Sequence, residues 1–282
     1  MGRKVRGNLV IIGGAEDKDD DMEILRLVVR LAGGNEARMA IMTVASVDQE
    51  ATGREYREIF LRLGVKSVEV LHVETRSDAA RPGNAATLAE STGVFFTGGD
   101  QLRITSLLGG TRVYEALQRA YEQGVVIAGT SAGASAMSDT MIIEGEGDET
   151  PLNFAVRMAP GMGLLEEVVV DQHFAQRGRT GRLMLAVAQN PYILGVGIDE
   201  DTAIIVDPEA RFRVAGSGTV TVIDGKRLAH SSVSEQDLYK PVAVLGAVVH
   251  TLAPGYGFDL SRREPLFPRE VEETPSSDGG VR

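Results

Sequence analysis

Through the first half of this 282-residue chain, apolar runs of strand length alternate with stretches of helical period. That rhythm admits few folds other than a sheet threaded by crossover helices. Asn8 to Ile12 reads as a buried strand ending in Gly13-Gly14. Met22, Leu25, Val28, Val29 and Ala32 then fall on one helical face, closed by Gly33-Gly34. Arg38 to Val44 is a second strand, and Tyr56, Ile59, Phe60 and Leu63 form a second helical stripe. Val68 to Val73 and Gly93 to Thr97 are further strands. Val113, Ala116, Leu117 and Ala120 mark another helix, and Val125 to Ala128 a fifth strand running into Gly129-Thr130-Ser131. Strands this continuously apolar predict a parallel sheet covered on both faces.

From about Met141 the rhythm loosens, through a Gly- and Glu-rich loop at Glu144 to Thr150. It resumes with Val168 to Val170, a basic helix near Arg179 to Ala188, and Ile193 to Ile198. Short β-like runs dominate Thr202 to Val249, with Asp224-Gly225 as a hairpin turn, so antiparallel pairing is expected at the sheet edge. Pro268 to Arg282 is charged and rich in Pro, Ser and Gly, and reads as a flexible tail. No repeat and no strong linker divides the chain. The expectation is a single α/β domain over 1–267, a mostly parallel central sheet flanked by helices with a β-rich C-terminal part, and a tail over 268–282.

Composition narrows the function. With 29 Lys+Arg against 40 Asp+Glu the net charge is −11, which offers no broad basic surface to nucleic acid or anionic lipid. Cys is absent, so there is no disulfide framework, thiolate metal site or cysteine nucleophile. Met1 to Arg6 is basic, but the apolar run Leu9 to Ile12 is too short for a signal peptide and no stretch is long enough to span a bilayer. A soluble cytoplasmic protein is expected, with neither nucleic acid nor membrane as partner. No H-x-x-x-H pair, no spaced His and acid cluster and no phosphate-binding glycine fingerprint occurs, so neither metal nor nucleotide is expected.

Gly129-Thr130-Ser131-Ala132-Gly133 matches G-x-S-x-G where a strand hands over to a helix. At such a turn Ser131 is held exposed and strained, and the Ala132 amide opens a helix N-terminus where it can meet a developing oxyanion. The same residues also suit a plain helix cap. Gly98-Gly99-Asp100-Gln101 follows another apolar strand, so Gly99 or Asp100 can supply a second donor, or Asp100 can simply cap the next helix.

A serine nucleophile needs a base, and the histidines are His72, His173, His230 and His250. His173 follows Asp171-Gln172 at a strand end, whereas His72 lies in an apolar strand, His230 in a polar loop and His250 at a strand close. Gly197-Ile198-Asp199-Glu200-Asp201 places carboxylates after another strand, and Glu200 is the favoured orienting acid, with Asp139, Glu144 and Asp171 as competitors. The order Ser, His, Glu differs from that of α/β-hydrolases. Arg177-Gly178-Arg179-Thr180-Gly181-Arg182 brings guanidiniums close to the base, suited to carboxylates, though such a run also reads as a solvated face.

Taken in order, Gly13-Gly14-Ala15-Glu16-Asp17-Lys18, Phe96-Thr97-Gly98-Gly99-Asp100-Gln101, Gly129 to Ala134, Asp171-Gln172-His173-Phe174 and Gly197 to Thr202 resemble the cyanophycinases. These are serine peptidases related to the aspartyl dipeptidases. The likeness runs from Asn8 to the strands near Val249. It implies a class I glutamine amidotransferase-like fold, no metal, and a triad of Ser131, His173 and Glu200 with an oxyanion hole near Gly99, Asp100 and Ala132. It also implies a homodimer, and as substrate cyanophycin, a poly-aspartate backbone with arginine on each β-carboxyl, cut into β-Asp-Arg dipeptides. Gln101, Asp171, Gln172, Arg177, Arg179 and Arg182 resemble positions lining the family's pocket. A related aspartyl dipeptidase and a noncatalytic polymer binder are the alternatives. The charged end after Pro268 departs from the family pattern.

Overall fold

The structure is a computed structural model that describes residues 7–145, 156–235 and 240–268. The first half alternates as its periodicity requires: β1 (Leu9–Ile12), α1 (Glu23–Leu31), β2 (Arg38–Met42), α2 (Gln49–Arg62), β3 (Ser67–Leu71), α3 (Arg76–Ala79), α4 (Pro82–Glu90), β4 (Gly93–Phe96), α5 (Gln101–Leu108), α6 (Arg112–Glu122), β5 (Val126–Thr130) and α7 (Ala132–Ser135). Then come β6 (Thr140–Glu144), β7 (Arg157–Pro160), β8 (Val168–Asp171), α8 (Thr180–Gln189), β9 (Leu194–Ile198), β10 (Thr202–Val206), β11 (Arg211–Gly216), β12 (Val220–Asp224), β13 (His230–Ser231), β14 (Val244–Leu245), β15 (Val248–Leu252), β16 (Gly257–Asp259) and β17 (Glu264–Leu266).

Local chemistry sets the helix starts. Asp48 caps α2 by accepting from the Ala51 amide at 2.9 Å. Asp17 receives the amides of Asp19, Asp20 and Met22, turning the chain into α1, and these backbone donors hold its carboxyl at about 2.

A nine-stranded sheet runs in the order β17-β16-β11-β10-β1-β5-β4-β2-β3. Strands β1, β5, β4, β2 and β3 are mutually parallel, and the alternation of side chains serves two cores. Val10, Ile12, Met39, Ile41 and Phe95 face α1 and α2, while Leu9, Ile11, Met42, Val94 and Phe96 face α5 and α6. Beyond β1 every pairing, through β10, β11, β16 and β17, is antiparallel. Within this sheet parallel pairing is therefore confined to one half, and the antiparallel edge is broader than the sequence suggested.

A second, four-stranded sheet, β15-β12-β9-β8, was not anticipated. Its Val196, Ile198, Val220 and Val222 join the same core as Leu9, Ile11, Phe212 and Phe258, and its other face packs on α8. The hairpin expected at Asp224-Gly225 does not form. Strand β12 already has β9 and β15 on its two edges, so the chain makes the small β13–β14 pair before returning as β15. Most of the loop at Glu144 to Thr150, and all but the first residue of the tail from Pro268, lie outside the described residues. Among the described residues no helix is long and apolar enough to cross a membrane.

Candidate active site

The C-terminal ends of β1, β4 and β5 meet those of β8 and β9, and Ser131, His173 and Glu200 gather there. β5 delivers Thr130 to the sheet end, and the chain turns sharply at Ser131, with φ 53° and ψ −110°, before α7 begins. A non-glycine residue in that region is strained unless held from several sides. The Ser131 amide donates to Ile12 O at 3.0 Å, and its carbonyl accepts the Ala134 and Ser135 amides at 3.1 Å each.

His173 stands just past β8, also left-handed at φ 46°. Its amide donates to Gly13 O at 2.7 Å, and its ring rests on Gly14. Gly14 has φ 101°, and a Cβ there would overlap the imidazole, so glycine is needed on both counts. Glu200 lies in the turn joining β9 to β10. Ser131 Oγ is 3.0 Å from His173 Nε2, and His173 Nδ1 is 2.6 Å from Glu200 Oε1. The neighbouring acids have other partners: Asp199 accepts the Ala175 amide and both the amide and hydroxyl of Thr219, and Asp201 accepts the Asp17 amide and the Ser217 hydroxyl.

Burial pulls the His173 imidazole below its usual 6.5. The hydrogen bond and charge of Glu200 oppose that shift, and the positive charges of Arg177 and Arg179 add to it. The ring is thus neutral near pH 7 and able to accept a proton. The remaining histidines stand apart: His72 is exposed just past β3, His230 sits exposed in β13, and His250 lies mid-strand in β15, 5.5 Å from the Phe258 ring.

Of the expected oxyanion donors, Gly99 and Ala132 have amides with no acceptor among the described residues. Gly98-Gly99 passes beside Ser131, and Gly99, at φ 138°, lies so close to Ala45 O that no side chain fits. Asp100 is corrected: its amide donates to Ala45 O at 3.0 Å and its carboxylate caps α5 through the Leu102 amide at 2.8 Å.

The expected substrate clamp is also revised. Asp171 is 1% exposed and receives Arg182 Nε at 2.7 Å, Arg182 Nη2, Arg179 Nη1 at 3.3 Å and the Gln172 amide at 2.9 Å. Arg182 further donates to Gly145 O at 2.6 Å. Asp171 and Arg182 are a buried ion pair, and reaching a substrate would cost that pairing. Arg179 also donates to Gln172 O, its buried Nε has no partner among the described residues, and burial brings its guanidinium down to about 10. Arg177 is exposed, with no side-chain partner among the described residues, Gln172 Oε1 stands 3.4 Å from Ser131 Oγ, and Gln101 Nε2 donates to Ile142 O at 2.8 Å.

The sequence profile of peptidase family S51 matches residues 9–213. The chain belongs to peptidase family S51. Among curated relatives, a cyanophycinase of Trichormus variabilis is 40% identical over 92% of this chain and 87% of its own length. One from Synechococcus elongatus is 38% identical over 90% and 80%, and one from Geminocystis herdmanii 36% identical over 94% and 98%. Among solved structures, a peptidase from an acI-B1 actinobacterium superposes with TM-score 0.64 at 20% identity, over 89% of this chain and 98% of that one. A peptidase E protein assigned in Listeria monocytogenes gives 0.52 at 15% identity, over 75% and 99%. At those identities the likeness is one of fold.

One site residue of this S51 chain carried no role in the sequence reading. Glu16, in the turn after β1, is buried against the elbow and bonded to Thr130 and Tyr56. Its only signal was a place in the Gly13 to Lys18 motif, because an acid followed by further acids reads as a solvated loop.

Proposed function

We propose that this S51 peptidase is a serine-type exopeptidase that hydrolyses cyanophycin to β-Asp-Arg dipeptides through an acyl-enzyme. The observation that carries the reading is the unbroken run from Ser131 Oγ through the His173 ring to Glu200, at 3.0 and 2.6 Å. Ser131 Oγ attacks a backbone carbonyl of the polymer while His173 Nε2 takes its proton, and Glu200 holds the ring by Nδ1 and steadies the imidazolium. The oxyanion receives the amides of Gly99 and Ala132. Collapse returns the proton to the leaving amine and leaves an ester on Ser131, which water, deprotonated by the same ring, hydrolyses.

The substrate assignment is supported by relatives named cyanophycinase that align over nearly the whole chain. Arg177, Arg179, Gln172 and Gln101 are the groups assigned to a substrate of alternating carboxylate and guanidinium. A class I glutamine amidotransferase-like fold, a homodimer and a cytoplasmic location belong to the same reading.

Incubation with insoluble cyanophycin, followed by mass spectrometry of the dissolved fraction, tests it. The protein should release β-Asp-Arg, and folded Ser131→Ala should release none. Dipeptide from that variant would remove Ser131 as nucleophile. Turnover of N-terminal aspartyl dipeptides without polymer release would indicate a dipeptidase, and polymer retention without release a binder.

A further inference from the structure

Among the buried acids that the reaction scheme leaves without a task, Glu16 lies against the Ser131 elbow. Glu16 is 4% exposed; its Oε2 accepts from the Thr130 hydroxyl at 2.5 Å and its Oε1 from the Tyr56 hydroxyl. Burial first, and then the facing carboxylate, push the Tyr56 phenol well above its ordinary value, so it remains a donor. Taking a carboxylate out of water is unfavourable, and apolar packing generally does no worse for stability. What distinguishes this one is the set of parts that it ties together.

Thr130 is the residue before the strained Ser131. Tyr56 belongs to α2 and packs on Phe95 of β4 with ring centroids 4.8 Å apart, which gives the carboxylate a rigid backing. Glu16 itself continues the turn whose Gly13 carbonyl accepts the His173 amide at 2.7 Å and whose Gly14 carbonyl accepts the Asp201 amide at 2.9 Å, next to Glu200. One short segment thus reaches the elbow by its side chain, and the histidine and acid turns by its main chain.

We propose that Glu16, acting through Thr130, is a positioning residue that holds the Ser131 elbow in register with His173 and Glu200. The inference rests on the serine-peptidase reading above. Its consequence is that breaking the Glu16–Thr130 bond misplaces the hydroxyl without removing any group that touches substrate, so turnover falls and substrate binding does not.

The test uses Thr130→Val, which keeps shape and loses the hydroxyl, and Thr130→Ser, which restores the hydroxyl. Rates are measured on the full chain per active site titrated with a serine-directed acylating reagent, beside melting temperatures. Thr130→Val should lower kcat about ten- to a hundred-fold with KM within about two-fold. Thr130→Ser should recover most of that loss. The acid limb of the pH profile should not move, because the charges around His173 are untouched. A Thr130→Val protein that melts earlier but turns over at the wild-type rate per titrated site would overturn the proposal and leave Glu16 purely structural. If Thr130→Val does not fold, Tyr56→Phe, which frees the outer end of the strut, is read the same way: a several-fold fall in kcat supports it and an unchanged kcat overturns it. Activity of Ser131→Ala in the same assay would instead bring down the serine reading itself.

Discussion

At the scale of single residues, the charge neighbours of His173 make opposite predictions. Replacing Arg177 with Gln removes a positive charge that disfavours the imidazolium, so the acid limb of kcat/KM should shift to higher pH, most at low salt. Replacing Glu200 with Gln removes the group that favours the imidazolium, so the limb should move to lower pH while kcat falls. Rate profiles from pH 4 to 9 for both variants check the signs; movement in the same direction would contradict this account of the ring. Ser131, His173 and Glu200 were legible because each follows an apolar strand at a turn, where a side chain is presented rather than buried. Asp100 was legible only as one of two alternatives, since no local pattern shows that Ala45 O has already taken its amide. Glu16 was not, because its partners, Tyr56 and Thr130, are distant in the chain.

At the scale of elements, the join between β8 and α8 depends on Asp171, the last residue of the strand, and Arg182 in the first turn of the helix. Changing Arg182 to Met leaves a carboxylate that is 1% exposed with its main cation gone, which should cost about 3–5 kcal/mol of stability. Denaturant melts check that figure, and activity of the folded fraction at permissive temperature should suffer less than stability does. Sequence suggested the reverse emphasis, a clamp on substrate. A run such as Arg177 to Arg182 has the same composition whether it faces solvent, ligand or core, and what decides is an acid on another element. The alternation of β1 to β5 with their helices was readable because each helix packs close to strands adjacent in the chain. The four-stranded sheet was not, since its order joins strands by contacts that short, evenly apolar runs do not encode.

At the scale of the whole molecule, two sheets share one core and are clasped at the end remote from Glu200. Arg263, beside the β16–β17 turn of the larger sheet, donates to Asp224 Oδ1 at 2.6 Å and to Tyr192 O, next to the smaller one. Asp224 pairs across with Leu194, the start of β9, whereas Glu200 follows its end. Arg263→Ala should therefore lower stability by about 3 kcal/mol and leave kcat/KM at permissive temperature unchanged, a contrast that melting curves and initial rates together resolve. Strand β1 carries a consequence of a different kind. It precedes both of its neighbours in the chain, yet it lies between β5, which ends at Thr130, and β10, which ends at Val206. Both of its edges are therefore filled only once the chain extends through Val206, past Ser131, His173 and Glu200.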